Sequence, residues 1–321
     1  MKTYFTILFA FFYLVNVKAQ SVPAADENIP YLVTFGKNAA SQWGDDDHSQ
    51  VFFFSCPKDF KDPVYFRVFD PDCTGEVDEV SAKFNTLTRF SVYGGDKCYS
   101  HPDAQGTDPE GNYKSGNLLA SKVFGQKTDY DGKWYTFGPF NPTEGEYIDK
   151  FGAHVFKLIC EGVIGDDGNL YQYFMSTDKD NNIEVEGGNA FTYEYTFRLH
   201  ADPRQISHVY PYIDDKVISL EQSNFDWDND GYILIVSAVS WNEDVVTSGD
   251  DQWGNSTYKV KEEERGKSLD IRFVKNNQQK VNNNNVVFSV RNQYGELLPF
   301  FTVPIGGVPK YKGKVKLQAA D

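Results

Sequence analysis

Apolar and polar residues alternate along most of this chain, and a period of two is the pattern of a half-buried β-strand. The run YEYTFRLH at residues 193–200 alternates throughout, and LDIRF at residues 269–273 repeats the pattern. Turn-forming pairs such as Gly94-Gly95 and Asp131-Gly132 separate the short runs. Aromatic residues make up 16% of the chain, which favours strands over helices. The sequence therefore predicts an all-β protein of antiparallel strands.

The strand-like runs fall into two consecutive β-sandwich domains. Pro203 interrupts the pattern after a strong strand, so the boundary is predicted there. The first domain is predicted at residues 27–203 and carries all four cysteines. The second, at residues 205–310, has the size and strand number of an immunoglobulin-like sandwich. Residues 311–321 are predicted as a tail, and residues 96–133, rich in Gly, Asp and Ser, as an extended loop.

The amino terminus has the features of a secretion signal. Lys2 precedes an apolar run, and Val17 and Ala19 occupy the −3 and −1 positions before Gln20. Residues 1–19 are therefore predicted to be a signal peptide. The apolar run is too short for a membrane-spanning helix, which needs about 20 residues. We expect an exported protein with no transmembrane segment after cleavage, in the periplasm, associated with the outer membrane, or extracellular.

The charge of the chain limits its partners. Cleavage would remove Lys2 and Lys18 and no acidic residue, which takes the formal net charge from −15 to −17. Nucleic-acid binding needs Lys and Arg for the phosphates, so this charge argues against it. The alternative is that the acidic loops simply keep an exported protein soluble.

The four cysteines are Cys56, Cys73, Cys98 and Cys160. An even number in an exported protein suggests disulfides, and three pairings are possible. Cys56 and Cys160 lie in strand-like runs, while Cys73 and Cys98 lie in loops, which favours the pairs Cys56–Cys160 and Cys73–Cys98. The spacings fit no zinc pattern, and free buried thiols are the remaining alternative.

A first acidic loop follows the strand-like run at residues 63–69. It contains Asp70, Asp72 and Asp78. Three carboxylates on a short loop repel one another, and an oxygen-seeking cation such as calcium would relieve the repulsion. The spacing resembles the third calcium-binding loop of the phospholipid-binding β-sandwiches of protein kinase C and synaptotagmin. The alternative is an acidic turn whose Asp side chains accept hydrogen bonds from backbone amides.

A second acidic loop, DWDNDG, contains Asp226, Asp228 and Asp230 before Gly231. It matches the first half of an EF-hand calcium loop, in which alternating carboxylates point inward and Gly permits a sharp turn. The twelfth position is Ser237 instead of Glu, and a strand-like run follows, so this is no EF-hand. It is predicted as a calcium loop in a β-hairpin, with a plain turn as the alternative.

Catalytic motifs are mostly absent from the sequence. There is no nucleophile elbow, zinc-protease motif or phosphate-binding glycine loop. Glycoside hydrolysis by a carboxylate pair remains an alternative, since a chain with 46 acidic residues always places some pair at a suitable distance. Trp43, Trp227 and Trp253 lie beside acidic or Gly-rich loops and are candidates for stacking on a glycan. The alternative is that each covers one end of a sandwich core.

Four segments together resemble exported β-rich proteins of Bacteroidota. They are residues 43–47 (WGDDD), 64–72 (VYFRVFDPD), 134–140 (WYTFGPF) and 224–231 (NFDWDNDG). Some members of this group carry a following OmpA-like domain, which this sequence lacks. The resemblance covers most of the mature chain and implies location in the cell envelope more than any activity.

These observations favour a non-enzymatic envelope or surface protein whose acidic loops bind calcium. Its partner would be a glycan or another envelope protein. The alternatives are a carbohydrate-active hydrolase that uses paired carboxylates and a structural spacer without a ligand.

Overall fold

The computed structural model describes residues 21–106, 113–276 and 284–312. The predicted signal peptide, and the predicted tail from residue 313 onward, lie outside these residues. No helix of the described segments is long and apolar enough to cross a membrane.

Within these segments the protein is built of 22 strands and five single turns of 3-10 helix. The strands are β1 Ser21–Val22, β2 Tyr31–Phe35, β3 Ser49–Pro57, β4 Val64–Phe69, β5 Leu87–Gly94, β6 Asn117–Phe124, β7 Trp134–Phe140, β8 Glu146–Ile148, β9 Ala153–Ile164, β10 Gly168–Ser176, β11 Asn189–Thr192, β12 Glu194–Arg198, β13 Ser207–Val209, β14 Tyr212–Ile213, β15 Ser219–Phe225, β16 Gly231–Val236, β17 Glu243–Asp244, β18 Trp253–Lys259, β19 Lys267–Ser268, β20 Asp270–Lys275, β21 Asn285–Asn292 and β22 Phe300–Phe301. The helical turns are Ala25–Glu27, Ser41–Trp43, Pro142–Glu144, Asp149–Phe151 and Glu262–Glu264. The all-β prediction is confirmed.

The strands form two large antiparallel sheets and two small ones. The first sheet has the order β18-β15-β21-β12-β2-β10-β4-β7, with β1 paired to β10. The second has the order β22-β11-β3-β9-β5-β6, with β8 paired to β9. The small sheets are β13-β20-β16-β17 and β14-β19. Within the described residues, every strand pair is antiparallel, as the alternating pattern predicts.

Aromatic rings from the two large sheets pack against each other and form the main core. Phe54 of the second sheet lies 5.4 Å from Phe66 of the first, and Phe90 lies 5.0 Å from Tyr171, measured between ring centroids. Such edge-to-face pairs add about 0.5–1.5 kcal/mol each beyond the burial of their area. This face-to-face packing is the arrangement of a β-sandwich.

β3 is buried on both faces, because successive side chains of a strand point to opposite sides. Phe52 and Phe54 enter the main core, while Val51 and Phe53 face away from it. These outward residues belong to a second core cluster on the other side of the second sheet. Its buried members are Val51, Phe53, Tyr93, Cys98, Tyr99, Ala104, Tyr113, Val155, Ile159, Phe191, Tyr193 and Phe301.

The first sheet contains strands from both sides of residue 203. β12, which precedes Pro203, pairs with β21, and Tyr195 lies opposite Phe288. β21 in turn pairs with β15. The division into domains at residues 203–205, and the immunoglobulin-like form of residues 205–310, stay predictions.

Candidate metal centres

The second acidic loop connects β15 to β16 and has an unusual backbone. Asp226, Asp228 and Asn229 have φ angles of 58°, 58° and 54°. Asp and Asn tolerate this left-handed region better than other residues with a Cβ. At Gly231 a Cβ would lie 2.0 Å from the carbonyl oxygen of Val274, so only glycine fits there.

Hydrogen bonds join this loop to the segment that leads into β18. Asp226 Oδ1 accepts the amide of Asp251 at 2.7 Å, and Ser248 O accepts the amide of Asn229 at 2.8 Å. The Trp227 amide donates to Ser248 Oγ at 2.8 Å. The β15–β18 pairing places the two segments side by side, since Phe225 lies opposite Trp253.

Three carboxylates meet where these segments touch. Asp226, Asp228 and Asp250 each offer an oxygen, and these atoms all lie within 4.8 Å of one another. Asp226 and Asp228 are two of the predicted ligands, but the third carboxylate of this group is Asp250. The predicted third ligand, Asp230, lies beside both Asp228 and Lys275, whose charges shift its pKa in opposite directions.

Two oxygens of the loop are buried without a hydrogen-bond partner among the described residues. They are Asp228 Oδ1 and Asp230 Oδ2, and Asp230 is only 7% exposed. Burial, reinforced by the charge of Asp228, raises the pKa of Asp230 to about 6. Burial, and to a smaller extent the charge of Asp250, raises the pKa of Asp228. An unpaired buried carboxylate is unfavourable, and a bound cation would relieve this state.

In the first acidic loop the carboxylates mainly bind backbone amides. Asp70 Oδ1 accepts the amide of Gly132, and Asp72 Oδ2 that of Tyr130, each at 2.8 Å. Both oxygens of Asp78 accept backbone amides, Oδ2 that of Thr74 and Oδ1 that of Leu170, each at 2.7 Å. Asp70, Asp72 and Asp78 do not form one of the close acidic groups found among the described residues. Their hydrogen bonds match the alternative of an amide-binding turn, and metal binding by these residues stays a prediction.

Two buried oxygens near the first loop nevertheless lack a hydrogen-bond partner within the described segments. They are Asp70 Oδ2 and Asn169 Oδ1, and Asp70 is 0% exposed. The other side-chain atom of Asn169, Nδ2, donates to Pro71 O at 2.9 Å. Burial, with repulsion from Asp131 and Asp72, raises the pKa of Asp70 to about 6. Burial also raises the pKa of Asp78 to about 9.

A third acidic group precedes β3. Asp45, Asp46 and Asp47 have carboxylate oxygens within 4.8 Å of one another. Asp45 accepts the amides of Phe35 at 2.7 Å and His48 at 2.8 Å, so it fixes the turn before the strand. Burial raises the pKa of Asp45 to about 7. Three consecutive Asp residues match the spacing of no calcium loop, so the sequence alone does not indicate this group.

The predicted disulfides are not formed, and each of the four cysteines is a buried free thiol. On β3, Cys56 lies opposite His154, whereas Cys160 lies six residues further along β9. Six residues of a strand span about 20 Å, far more than a disulfide can bridge. Cys98 belongs to the second core cluster and its Sγ contacts Tyr93 O at 3.5 Å. Cys73 lies on the first acidic loop, where its amide donates to Gly125 O at 2.9 Å.

We expect the four thiols to resist reaction in the folded protein. Burial raises the pKa of each thiol, and the thiolate is the reactive form. Titration with a thiol reagent such as DTNB should find essentially no reactive thiol in native protein. In guanidinium without reductant it should find all four. Fewer than four in denaturant would show that a disulfide forms after all.

The three candidate tryptophans differ in exposure. Trp227 is 2% exposed and its ring centroid lies 5.7 Å from that of Phe273, so it belongs to the core. Trp43 is half-buried and stacks on Phe35 at 6.4 Å. Trp253 is 43% exposed and packs against Phe225 at 5.1 Å. Of the three, Trp253 offers the most surface to a ligand, and it lies directly beside the Asp226 loop.

No protein-family model matches this chain, and none of the curated proteins matches it.

Proposed function

We propose that this protein is an exported, non-enzymatic envelope or surface protein whose acidic loops bind calcium. The main site consists of Asp226, Asp228 and Asp250. The observation that carries the proposal is the convergence of these three carboxylates from two hydrogen-bonded segments, beside buried oxygens of Asp228 and Asp230 that lack a hydrogen-bond partner among the described residues.

The spacing of the oxygens is compatible with calcium. Calcium binds six to eight oxygens at about 2.3–2.6 Å, so two oxygens on one ion lie at most about 5 Å apart. The oxygens of Asp226, Asp228 and Asp250 satisfy this limit without rearrangement. Magnesium demands near-ideal octahedral geometry at about 2.0–2.1 Å and usually keeps several of its waters, so a site built from protein oxygens suits calcium better. Three carboxylates also balance a divalent cation better than a monovalent one.

A bound ion would hold together the two segments that flank Trp253. These segments already share backbone hydrogen bonds, and the ion would remove the repulsion between their carboxylates. Trp253 would then present a fixed aromatic face beside the ion. We propose that this surface contacts a glycan or another envelope protein.

For the alternative, a carbohydrate-active hydrolase, the described residues offer the carboxylate pair Asp47 and Glu161. Both residues line one cleft of about 380 Å³. Glu161 is held by ion pairs to Lys114 at 2.5 Å and Arg89 at 3.8 Å, and by the Tyr113 hydroxyl at 3.1 Å. These partners fix Glu161 in a structural network, so we favour the binding function.

Direct titration tests the calcium site. Calcium added to chelator-treated protein, starting at Gln20, should bind in isothermal titration calorimetry with a Kd between about 1 µM and 1 mM, the range of sensor and extracellular sites. The double variant Asp226→Asn/Asp228→Asn should lose this binding or weaken it at least about tenfold, because two charged ligands are removed. Asp59→Asn, an exposed residue in the turn after β3, is the matched control and should bind as the parent does.

Two results would contradict the site. One is the absence of calcium binding to the parent protein at about 10 mM calcium, a concentration above the Kd values of weak extracellular sites. The other is an unchanged titration in the double variant, which would move the ion to a different acidic loop.

A further inference from the structure

A cleft of about 620 Å³ opens beside the second core cluster, on the side of the molecule formed by β14, β22 and the turn Asp149–Phe151. This volume lies within the range of small-molecule sites, about 300–1,000 Å³. Its aromatic lining consists of Phe151, Tyr193, Tyr212 and Phe301. None of the candidate ligands of the acidic loops lines it.

The aromatic lining is rigid because it is part of a packed core. Tyr212 meets Phe301 edge to face at 6.1 Å, and Phe151 lies 6.4 Å from Phe301. The Tyr193 hydroxyl is hydrogen-bonded to that of Tyr99 at 2.7 Å. Rings held on several sides keep their place when a ligand enters, so little ordering entropy opposes binding.

This lining already holds one ammonium group. Lys150 Nζ lies 4.8 Å from the ring centroid of Phe151 and 4.9 Å from that of Tyr99, and it donates to the Tyr99 hydroxyl at 2.7 Å. Aromatic faces attract cations through their quadrupole, more strongly where water is partly excluded. The Phe151 face of the lining is thus already paired with the protein's own cation.

The remaining charged groups on the rim of the cleft are carboxylates. Asp214 Oδ1 accepts the amide of Lys216 at 2.8 Å, and Glu296 Oε2 accepts Asn292 Nδ2 at 2.7 Å. Both residues are exposed, and neither forms an ion pair with a cation of the described residues. These two carboxylates line the same cleft as the Tyr212 and Phe301 rings and contribute negative charge to it.

We propose that this cleft binds an organic cation, a primary amine or guanidinium group carried on an apolar body. The body would pack on Tyr212 and Phe301, and the cationic group would bind Asp214 and Glu296. The formal net charge of −15 would raise the local concentration of such ligands at low salt. Affinity and charge selectivity would then come from the same few residues.

Three probes with the same aromatic body test this assignment: phenethylamine, 2-phenylethanol and phenylacetate, which are cationic, neutral and anionic at pH 7. Phenethylamine should bind in a calorimetric or NMR titration. The alcohol should bind at least about tenfold more weakly, because it lacks the charge-assisted hydrogen bonds, and phenylacetate should not bind measurably. Asp214→Asn and Glu296→Gln should each weaken the amine about three- to tenfold, while Asp59→Asn should leave it unchanged.

Equal affinities for the three probes, tightest binding of phenylacetate, or no amine binding at about 10 mM would each overturn the proposal. Retention of full amine affinity in the Asp214→Asn/Glu296→Gln double variant would do the same. Because both substitutions are exposed and isosteric, we expect the fold to persist, and the melting temperature checks it. The titrations are repeated with calcium and with chelator, so that the outcome is independent of the calcium site.

Discussion

Removal of calcium is expected to lower the melting temperature of this protein by about 5–10 °C. A ligand that binds only the folded state stabilises it by about 2.7 kcal/mol at a hundredfold excess over its Kd. In a chain of this size, about 1 kcal/mol corresponds to a change of roughly 2–4 °C. The unfolded chain does not hold Asp226, Asp228 and Asp250 together, so the ion has no comparable site there. Thermal unfolding at a calcium concentration about a hundredfold above the Kd measured by calorimetry, and again with excess chelator, measures the difference.

The Asp226→Asn/Asp228→Asn variant is the decisive comparison for this shift. It should melt at nearly the same temperature with and without calcium, because two of the three clustered carboxylates are neutral. In chelator it should be at least as stable as the parent, since the repulsion among carboxylates is reduced. A full calcium response in this variant, together with its loss in Asp70→Asn, would place the stabilising ion at the first acidic loop. A parent protein that melts alike in both buffers would contradict calcium stabilisation altogether.

The fold class could be predicted because it depends on local pattern. The alternating run at residues 193–200 contains β12, and the run at 269–273 overlaps β20. β20 buries Ile271 and Phe273 and leaves Arg272 half-buried between them, so period two is visible in the sequence. β12 alternates in its sequence, but it also buries Thr196, the polar residue between Tyr195 and Phe197. The sequence does not reveal β6, Asn117–Phe124, which lies within the segment 96–133 that is predicted to be an extended loop. β6 lies at the edge of its sheet and most of its residues are exposed or half-buried, so burial imposes little alternation on it.

The candidate site was predicted in part, for a similar reason. Asp226 and Asp228 belong to one short motif that is recognisable in the sequence. Asp250 follows more than twenty residues later, and only the pairing of β15 with β18 brings its loop to the motif. The cysteine pairing failed in the same way, because strand membership alone does not give register. Cys56 and Cys160 do lie on paired strands, but six positions apart.

The stability of the protein is also expected to fall steeply as pH rises, and Glu27 should contribute much of this effect. Glu27 is 0% exposed. Its Oε2 accepts the Ala24 amide at 2.6 Å and the Tyr195 hydroxyl at 3.0 Å, and its Oε1 has no hydrogen-bond partner among the described residues. Burial raises the pKa of Glu27 from 4.5 to about 8, against the opposing effect of these two hydrogen bonds.

The direction of the effect follows from proton binding. Between pH 4.5 and about 8 the folded protein keeps a proton on Glu27 that the unfolded chain releases. The stabilisation is complete below pH 4.5 and is lost as pH rises through about 8. At about 1.4 kcal/mol per pH unit, the loss amounts to as much as about 5 kcal/mol. Other buried carboxyls with raised pKa values, such as Asp78, act in the same direction.

Glu27→Gln isolates this contribution, because the amide has the shape of the protonated acid and does not titrate. Urea unfolding in chelator at pH 5 and pH 9 should show a smaller loss of stability in the variant than in the parent, and a more stable variant at pH 9. Glu263→Gln, at an exposed position in the turn Glu262–Glu264, should keep the pH dependence of the parent. Parallel pH profiles for Glu27→Gln and the parent would mean that Glu27 is ionised in the folded protein. Its buried charge would then need a partner that Ala24 and Tyr195 do not supply.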